Sequence, residues 1–189
     1  MKLFYLAFAG VLYLASFAGD AFAQSSDTLT IQLKDGPVVI QLMPDVAPKH
    51  VAQIEALAKK GAYDNVAFHR VIEGFMAQTG DVKFGNMEKG FDASLAGTGG
   101  SDLPDLPAEF SKTPFVRGTV GMARSQDPNS ANSQFFIMFA DGSFLNGQYT
   151  VVGKVVSGME NVDKIKRGEG QNGEVSNPDR MIKVTVGKK

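Results

Sequence analysis

One arginine stands where a strand should be wholly apolar. The run Ala67-Phe68-His69-Arg70-Val71-Ile72 has the composition of a buried strand, yet Arg70 cannot shed its charge, and a buried charge is costly without a partner. Strict alternation puts Phe68, Arg70 and Ile72 on one face and His69 on the other, beside Ala67 and Val71. A structural ion pair with a distant acid is the plainer explanation of Arg70. The neighbouring residues suggest another. Phe75, Met76 and Gln78 follow at once, with Met76 and Gln78 on a common strand face. Gln134-Phe135-Phe136 brings a second amide and more aromatic carbon. An apolar dish of Phe and Met, rimmed by amides and one guanidinium, suits a ligand that is half apolar and half peptide.

Other chemistries are poorly supplied. The chain has no cysteine, which removes thiol catalysis, disulfides and zinc–thiolate sites. Its two histidines, His50 and His69, have no carboxylate spacing of a metal site. His50 reads as a surface or boundary residue of a helix. A hydrolase built on His69 would lack the Gly-x-Ser-x-Gly elbow. Gly168-Glu-Gly-Gln-Asn-Gly173 matches a dinucleotide fingerprint but follows a helix instead of opening one, so it reads as a turn-rich loop. No metal or cofactor is expected. A net charge of −1 without a basic run gives no footprint for nucleic acid or an anionic membrane.

The elements that must carry these residues are mostly strands. Leu29–Leu33 and Val38–Leu42 form a hairpin around Lys34-Asp35-Gly36-Pro37. Val51, Ile54, Leu57 and Ala58 form a helical stripe behind Pro48, stopped by Gly61. Further strands are expected at 66–72, 75–78, 119–123, 134–139, 149–156 and 181–186, with a short helix over 160–167 and a long irregular stretch over 84–113. Roughly eight short strands at this spacing suggest an all-β barrel or sandwich, and a closed barrel would also remove exposed edges. Ahead of it, Met1-Lys2, the apolar run to Ala18 and Ala21-Phe22-Ala23 have the form of a secretory signal peptide. The run is shorter than the ~20 residues of a membrane span. Two regions are therefore expected: a signal peptide over 1–23 and one domain over 24–189. Cleavage after Ala18 and an uncleaved anchor are the alternatives.

The segment Phe68–Asp81 resembles the cyclophilin family of peptidyl-prolyl cis–trans isomerases. Gly121-Met-Ala-Arg124 with Ser133-Gln-Phe-Phe136-Ile resembles the family's second signature. Phe144-Leu-Asn-Gly147 with Val152-Gly-Lys-Val155 resembles its third. The resemblance runs from Leu29 to Val186. It implies an isomerase of Xaa-Pro bonds with no cofactor, acting on proline-containing polypeptides, and an all-β fold, a closed eight-stranded antiparallel barrel capped by two α-helices, which agrees with the strand count. It also implies roles. Arg70 is the catalytic cation. Phe75, Met76, Phe136 and Leu145 form the proline pocket. Gln78 bonds the substrate backbone and steadies Arg70. Ala123 and Arg124, with Gln134 beside them, bind the residues before proline. Phe144 and Tyr149 stand where many members carry Trp and His, so cyclosporin-type inhibitors should bind weakly. A soluble monomer, exported to the periplasm to assist folding of exported proteins, is the expectation. A proline-directed binding module without catalysis is the alternative. Glu73 and Thr79 depart from the family pattern, and Gly97-Thr-Gly-Gly100 resembles a family segment beside the site.

Overall fold

The computed structural model describes residues 28–187. The expected signal segment, 1–23, lies outside the described residues. The hairpin is present as β1 (Thr28–Leu33) and β2 (Gly36–Leu42). The apolar stripe folds as α1 (Pro48–Lys59), with Pro48 in its first turn, where a missing N–H costs nothing. Then come β3 (Val66–Ala67), β4 (Arg70–Ile72), β5 (Met76–Thr79), β6 (Thr119–Met122) and β7 (Phe135–Met138). A 3₁₀ turn at Ser143–Leu145, β8 (Val151–Ser157), α2 (Met159–Val162), β9 (Arg180–Met181) and β10 (Lys183–Gly187) complete the chain. Among the described residues no helix is long and apolar enough to cross a membrane.

Eight strands form one antiparallel sheet in the order β10-β1-β2-β8-β6-β7-β5-β4, and β3 pairs with β9 alone. The sheet curls but does not close, which corrects the expected closed barrel. The free edge of β4 is taken by the loop 168–175 instead of β10. Val71 N–H donates to Gly173 O, Gly168 N–H to Val71 O, and Val175 N–H to His69 O, at 2.7, 2.8 and 3.1 Å. The edge is covered all the same, so its backbone groups are satisfied.

Of the two capping helices only α1 is substantial. The expected 160–167 helix stops at Val162, because Lys166 N–H donates to the Asp179 carboxylate 13 residues away rather than to a helical carbonyl. Val162 and Ile165 still reach the core. His50, expected near the surface, is fully buried. Its Nδ1 lies 2.7 Å from Glu109 Oε2, and the same carboxylate accepts the Lys49 and His50 N–H groups at 3.1 and 3.2 Å. Glu109 thus supplies the cap that Ala47 lacks at the positive end of α1.

Strand alternation divides the apolar residues between two cores. Ala77, Phe135 and Ile137 face the interior with α1. Met76, Phe136 and Met138, on the opposite face of β5 and β7, pack with Phe115, Leu145 and Val151. That second cluster is the floor of the cleft.

Candidate functional site

Four strands place one row of residues across the sheet. Arg70 on β4 is opposite Gln78 on β5, Gln78 is opposite Phe136 on β7, and Phe136 is opposite Gly121 on β6. Met76 lies two residues from Gln78 on the same face, as alternation requires. Phe136 stacks on buried Phe115 with ring centroids 5.7 Å apart and meets Tyr149 edge-on at 5.9 Å. Phe75 and Phe144 lie 5.5 Å apart across the rim.

These residues enclose a hollow of about 420 Å³ lined by Arg70, Phe75, Met76, Gln78, Ala123, Arg124, Phe136, Phe144, Leu145, Gln148 and Tyr149. A second hollow of about 250 Å³ adjoins it and shares Gln78, Ala123 and Arg124. Gln134 lines only this second one, together with the segment Gly97–Gly99. Gln148 was given no role from the sequence. Its carbonyl accepts from Arg124 Nε and Nη2 at 3.3 and 2.9 Å, and such main-chain acceptors leave no mark in a sequence.

Phe68 does not share a face with Arg70. β3 and β4 are separate strands with Phe68 and His69 between them, so the expected alternation is broken there. Phe68 N–H donates to Asp179 O, and its ring is buried in the main core with Val71. His69 is also turned from Arg70, beneath Gly97, and lines a different cavity with Glu169 and Glu174. Neither of its ring nitrogens makes a well-formed hydrogen bond. Burial pushes its pKa below the usual value; the charge of Asp81 opposes this and that of Arg70 adds to it.

Among the described residues Arg70 has no ion pair, contrary to the plainer explanation of its presence. Its Nε donates to Asn172 O at 2.9 Å and its Nη1 to Gln78 Oε1 at 3.3 Å. The glycine-rich loop that mimics a dinucleotide motif thus supplies a carbonyl to the guanidinium. Gln78 Nε2 donates to Gln134 Oε1 at 3.0 Å, and Gln134 Nε2 donates to Gly97 O and Gly99 O at 2.9 and 2.7 Å. The loop bearing those carbonyls is held by buried Asp81, whose Oδ2 accepts the Gly97 and Gly99 N–H groups at 2.7 and 2.9 Å. A Cβ on Gly99 would stand 2.4 Å from Asp81 Oδ1, so the close approach needs glycine.

The two departures within the segment have local partners. Glu73 forms an ion pair with Arg167, whose guanidinium also covers the Phe139 ring. Thr79 is buried and its hydroxyl donates to Ala67 O at 2.9 Å, tying β5 to β3.

Residues 28–186 match the sequence model of the family described as cyclophilin-type peptidyl-prolyl cis–trans isomerase. A probable peptidyl-prolyl cis–trans isomerase of Brucella suis is 73% identical over 165 residues, covering 87% of this chain and 84% of the relative. Peptidyl-prolyl cis–trans isomerase B of Escherichia coli is 37% identical over 146 residues, covering 73% and 83%. A Cryptosporidium parvum cyclophilin-type isomerase, solved in the presence of the dipeptide Ala-Pro, superposes with a TM-score of 0.72 at 25% identity, covering 86% of this chain and 99% of that one. A cyclophilin of Hirschia baltica superposes with a TM-score of 0.69 at 27% identity, covering 84% and 73%.

Proposed function

We propose a role for each residue of the cleft from one premise: this chain belongs to the cyclophilin-type family and is a peptidyl-prolyl cis–trans isomerase. Rotation about a peptide bond faces a barrier of ~18–20 kcal/mol from amide resonance. At the twisted midpoint the prolyl nitrogen loses conjugation and its lone pair localises. Arg70 donates to that nitrogen only then, so it favours the transition state over both planar states. Phe75, Met76, Phe136 and Leu145 hold the proline ring while the acyl side turns, and exclude water that would solvate the planar amide. Gln78 steadies Arg70 and bonds the substrate backbone. Ala123 and Arg124, beside Gln134, bind the residues before proline, while Phe144 and Tyr149 form the outer rim. Because the chain has no tryptophan and Phe144 stands where many members carry one, cyclosporin-type peptides bind weakly.

The observation that carries this reading is a guanidinium in the wall of a hollow with an apolar floor, bonded to two neutral oxygens and, among the described residues, to no carboxylate. The test is the rate of cis-to-trans conversion of an Ala-Pro-Phe peptide. Arg70→Ala should lower kcat/KM by about 10²-fold or more, the size of one lost electrostatic donor. Unchanged kcat/KM in a folded Arg70→Ala protein overturns the mechanism. The physiological setting proposed is the periplasm, where the enzyme acts as a monomer on exported proteins; the signal-peptide pattern over 1–23 supports it. Cell fractionation with the mass of the recovered protein tests that setting, and a protein retaining residues 1–23 in the cytoplasm would contradict it.

A further inference from the structure

We infer that this isomerase discriminates among its substrates by charge, favouring an acidic residue just before the proline and disfavouring a basic one. The inference rests on the isomerase reading above and names its substrate class.

Among the described residues no aspartate or glutamate lines either hollow of the cleft, while Arg124 lines both and Arg70 the larger one. The chain as a whole carries a net charge of −1, so this local excess of positive charge is a feature of the cleft and not of the composition. Among the described residues neither arginine forms an ion pair. The acids nearby are engaged elsewhere. Glu73 is drawn to Arg167. Glu174, paired through its backbone with Arg70 and with Glu169, lines the separate cavity of His69, as Glu169 does.

Arg124 is also fixed in place. It donates to the carbonyls of Ser125 at 2.8 Å and Gln148 at 2.9 Å, and its guanidinium carbon lies 4.4 Å from the centre of the Tyr149 ring. Neutral carbonyls and a ring face satisfy its hydrogen bonds without cancelling its charge. It lies on the boundary shared by the two hollows. A peptide whose proline fills the larger hollow and whose preceding residues run into the smaller one must cross it. A carboxylate there meets two uncompensated cations, and an ammonium meets the same two with the opposite sign. Partial water access keeps each interaction modest, and salt screens it over a Debye length of about 10 Å at 0.1 M.

The experiment uses acetyl-Ala-Glu-Pro-Phe-amide and its Gln and Lys counterparts, so that only the tested residue is charged. Catalysed exchange is measured by NMR against each peptide's own uncatalysed rate. At low ionic strength kcat/KM should fall in the order Glu, Gln, Lys, with Glu about tenfold above Lys, and the ratio should shrink to about twofold at 0.5 M salt. Arg124→Gln should lower the Glu-to-Lys ratio, while Arg124→Lys should retain most of it; each ratio is taken within one protein, so a general loss of activity cancels. Equal acceleration of all three peptides at low salt overturns the inference and leaves the isomerase reading intact. A ratio unmoved by Arg124→Gln also overturns it. Failure to accelerate any of the three peptides overturns both.

Discussion

Gly121 is where the floor of the cleft can be disturbed by a single methyl group. A Cβ at Gly121 would stand 2.5 Å from Phe115 Cε1 and 2.6 Å from Phe136 Cζ. Carbon atoms rest about 3.5–4.0 Å apart, so in Gly121→Ala each ring must retreat by about 1 Å. The backbone at Gly121 has no positive φ, so the effect is steric alone. Phe115 has no free space behind it, and Phe136 can retreat only into the hollow that it lines. Phe115 is fully buried against Phe136, and Phe136 is braced by Tyr149. Overpacking of this kind costs about 1–3 kcal/mol of stability. The same shift moves the ring proposed to hold the substrate proline. Misplacement by about 1 Å can cost up to 10²-fold in rate when it reaches a reacting group. In its proposed role Phe136 only holds the proline, so we expect kcat/KM to fall by roughly tenfold, on the low side of that range. Urea unfolding gives the stability change, and peptide isomerisation at a temperature where both proteins are folded gives the rate. Adding Phe115→Leu removes the ring atoms nearest the new methyl and should recover part of both losses. Wild-type kcat/KM together with an unchanged urea midpoint in Gly121→Ala would refute the reasoning.

Two further predictions concern stability. Glu109→Ala leaves the buried His50 Nδ1 and two N–H groups at the start of α1 without their acceptor, which should cost about 2–4 kcal/mol in urea unfolding. Burial alone would raise the Glu109 pKa, but the bonds from His50 and Lys49 outweigh it and hold the carboxyl low. Its contribution is therefore complete above the unfolded value of about 4.3 and is lost as pH falls through the lower folded value; a wild-type acid limb unchanged by Glu109→Ala would contradict this. His69 behaves as a base buried in its neutral form, with its folded pKa depressed. The unfolded chain takes up a proton near pH 6.5 that the folded chain resists. Stability should thus decline below about pH 6.5, and His69→Gln should flatten that part of the urea midpoint profile while the neutral-pH midpoint reports any packing loss. An unaltered profile would place the titration elsewhere.

The sequence was legible where a side chain carried its own signal. Met76 and Gln78 were recognisable as one face because strand alternation held through β5, and the family motif brought Phe136 on β7 to them. The α1 stripe was legible from its spacing and from Pro48. Alternation misled at Phe68, because the strand there breaks into β3, paired with β9, and β4, paired with β5. His50 looked like a surface residue because its acceptor, Glu109, lies 59 residues away. The closed barrel was implied by the family resemblance, and the strand count alone left barrel or sandwich open. The loop 168–175 occupies the β4 edge through backbone hydrogen bonds, which any residue can make and no residue type advertises. Asn172 reaches Arg70 in the same way, through a carbonyl 102 residues away.

That carbonyl matters more than its anonymity suggests. The direction of every bond leading to Arg70 follows from groups that can act in only one sense. Gly97 O and Gly99 O can only accept, so Gln134 must present Nε2 to them and Oε1 to Gln78. Gln78 must then present Nε2 to Gln134, which leaves its Oε1 for Arg70. Turning either amide would set acceptor against acceptor or donor against donor, and an unmade bond to a buried polar group costs about 1–3 kcal/mol. Asp81, the one carboxylate in this chain of bonds, is at its far end, accepting backbone N–H groups. Its charge is used to fix the loop and is kept away from the guanidinium. Had a carboxylate stood in place of Gln78 Oε1 or Asn172 O, Arg70 would be held as firmly, but its charge would be largely neutralised before any substrate arrived. Two neutral acceptors orient the cation and leave its field directed over the apolar floor of the hollow, the arrangement in which a localising lone pair gains most from it.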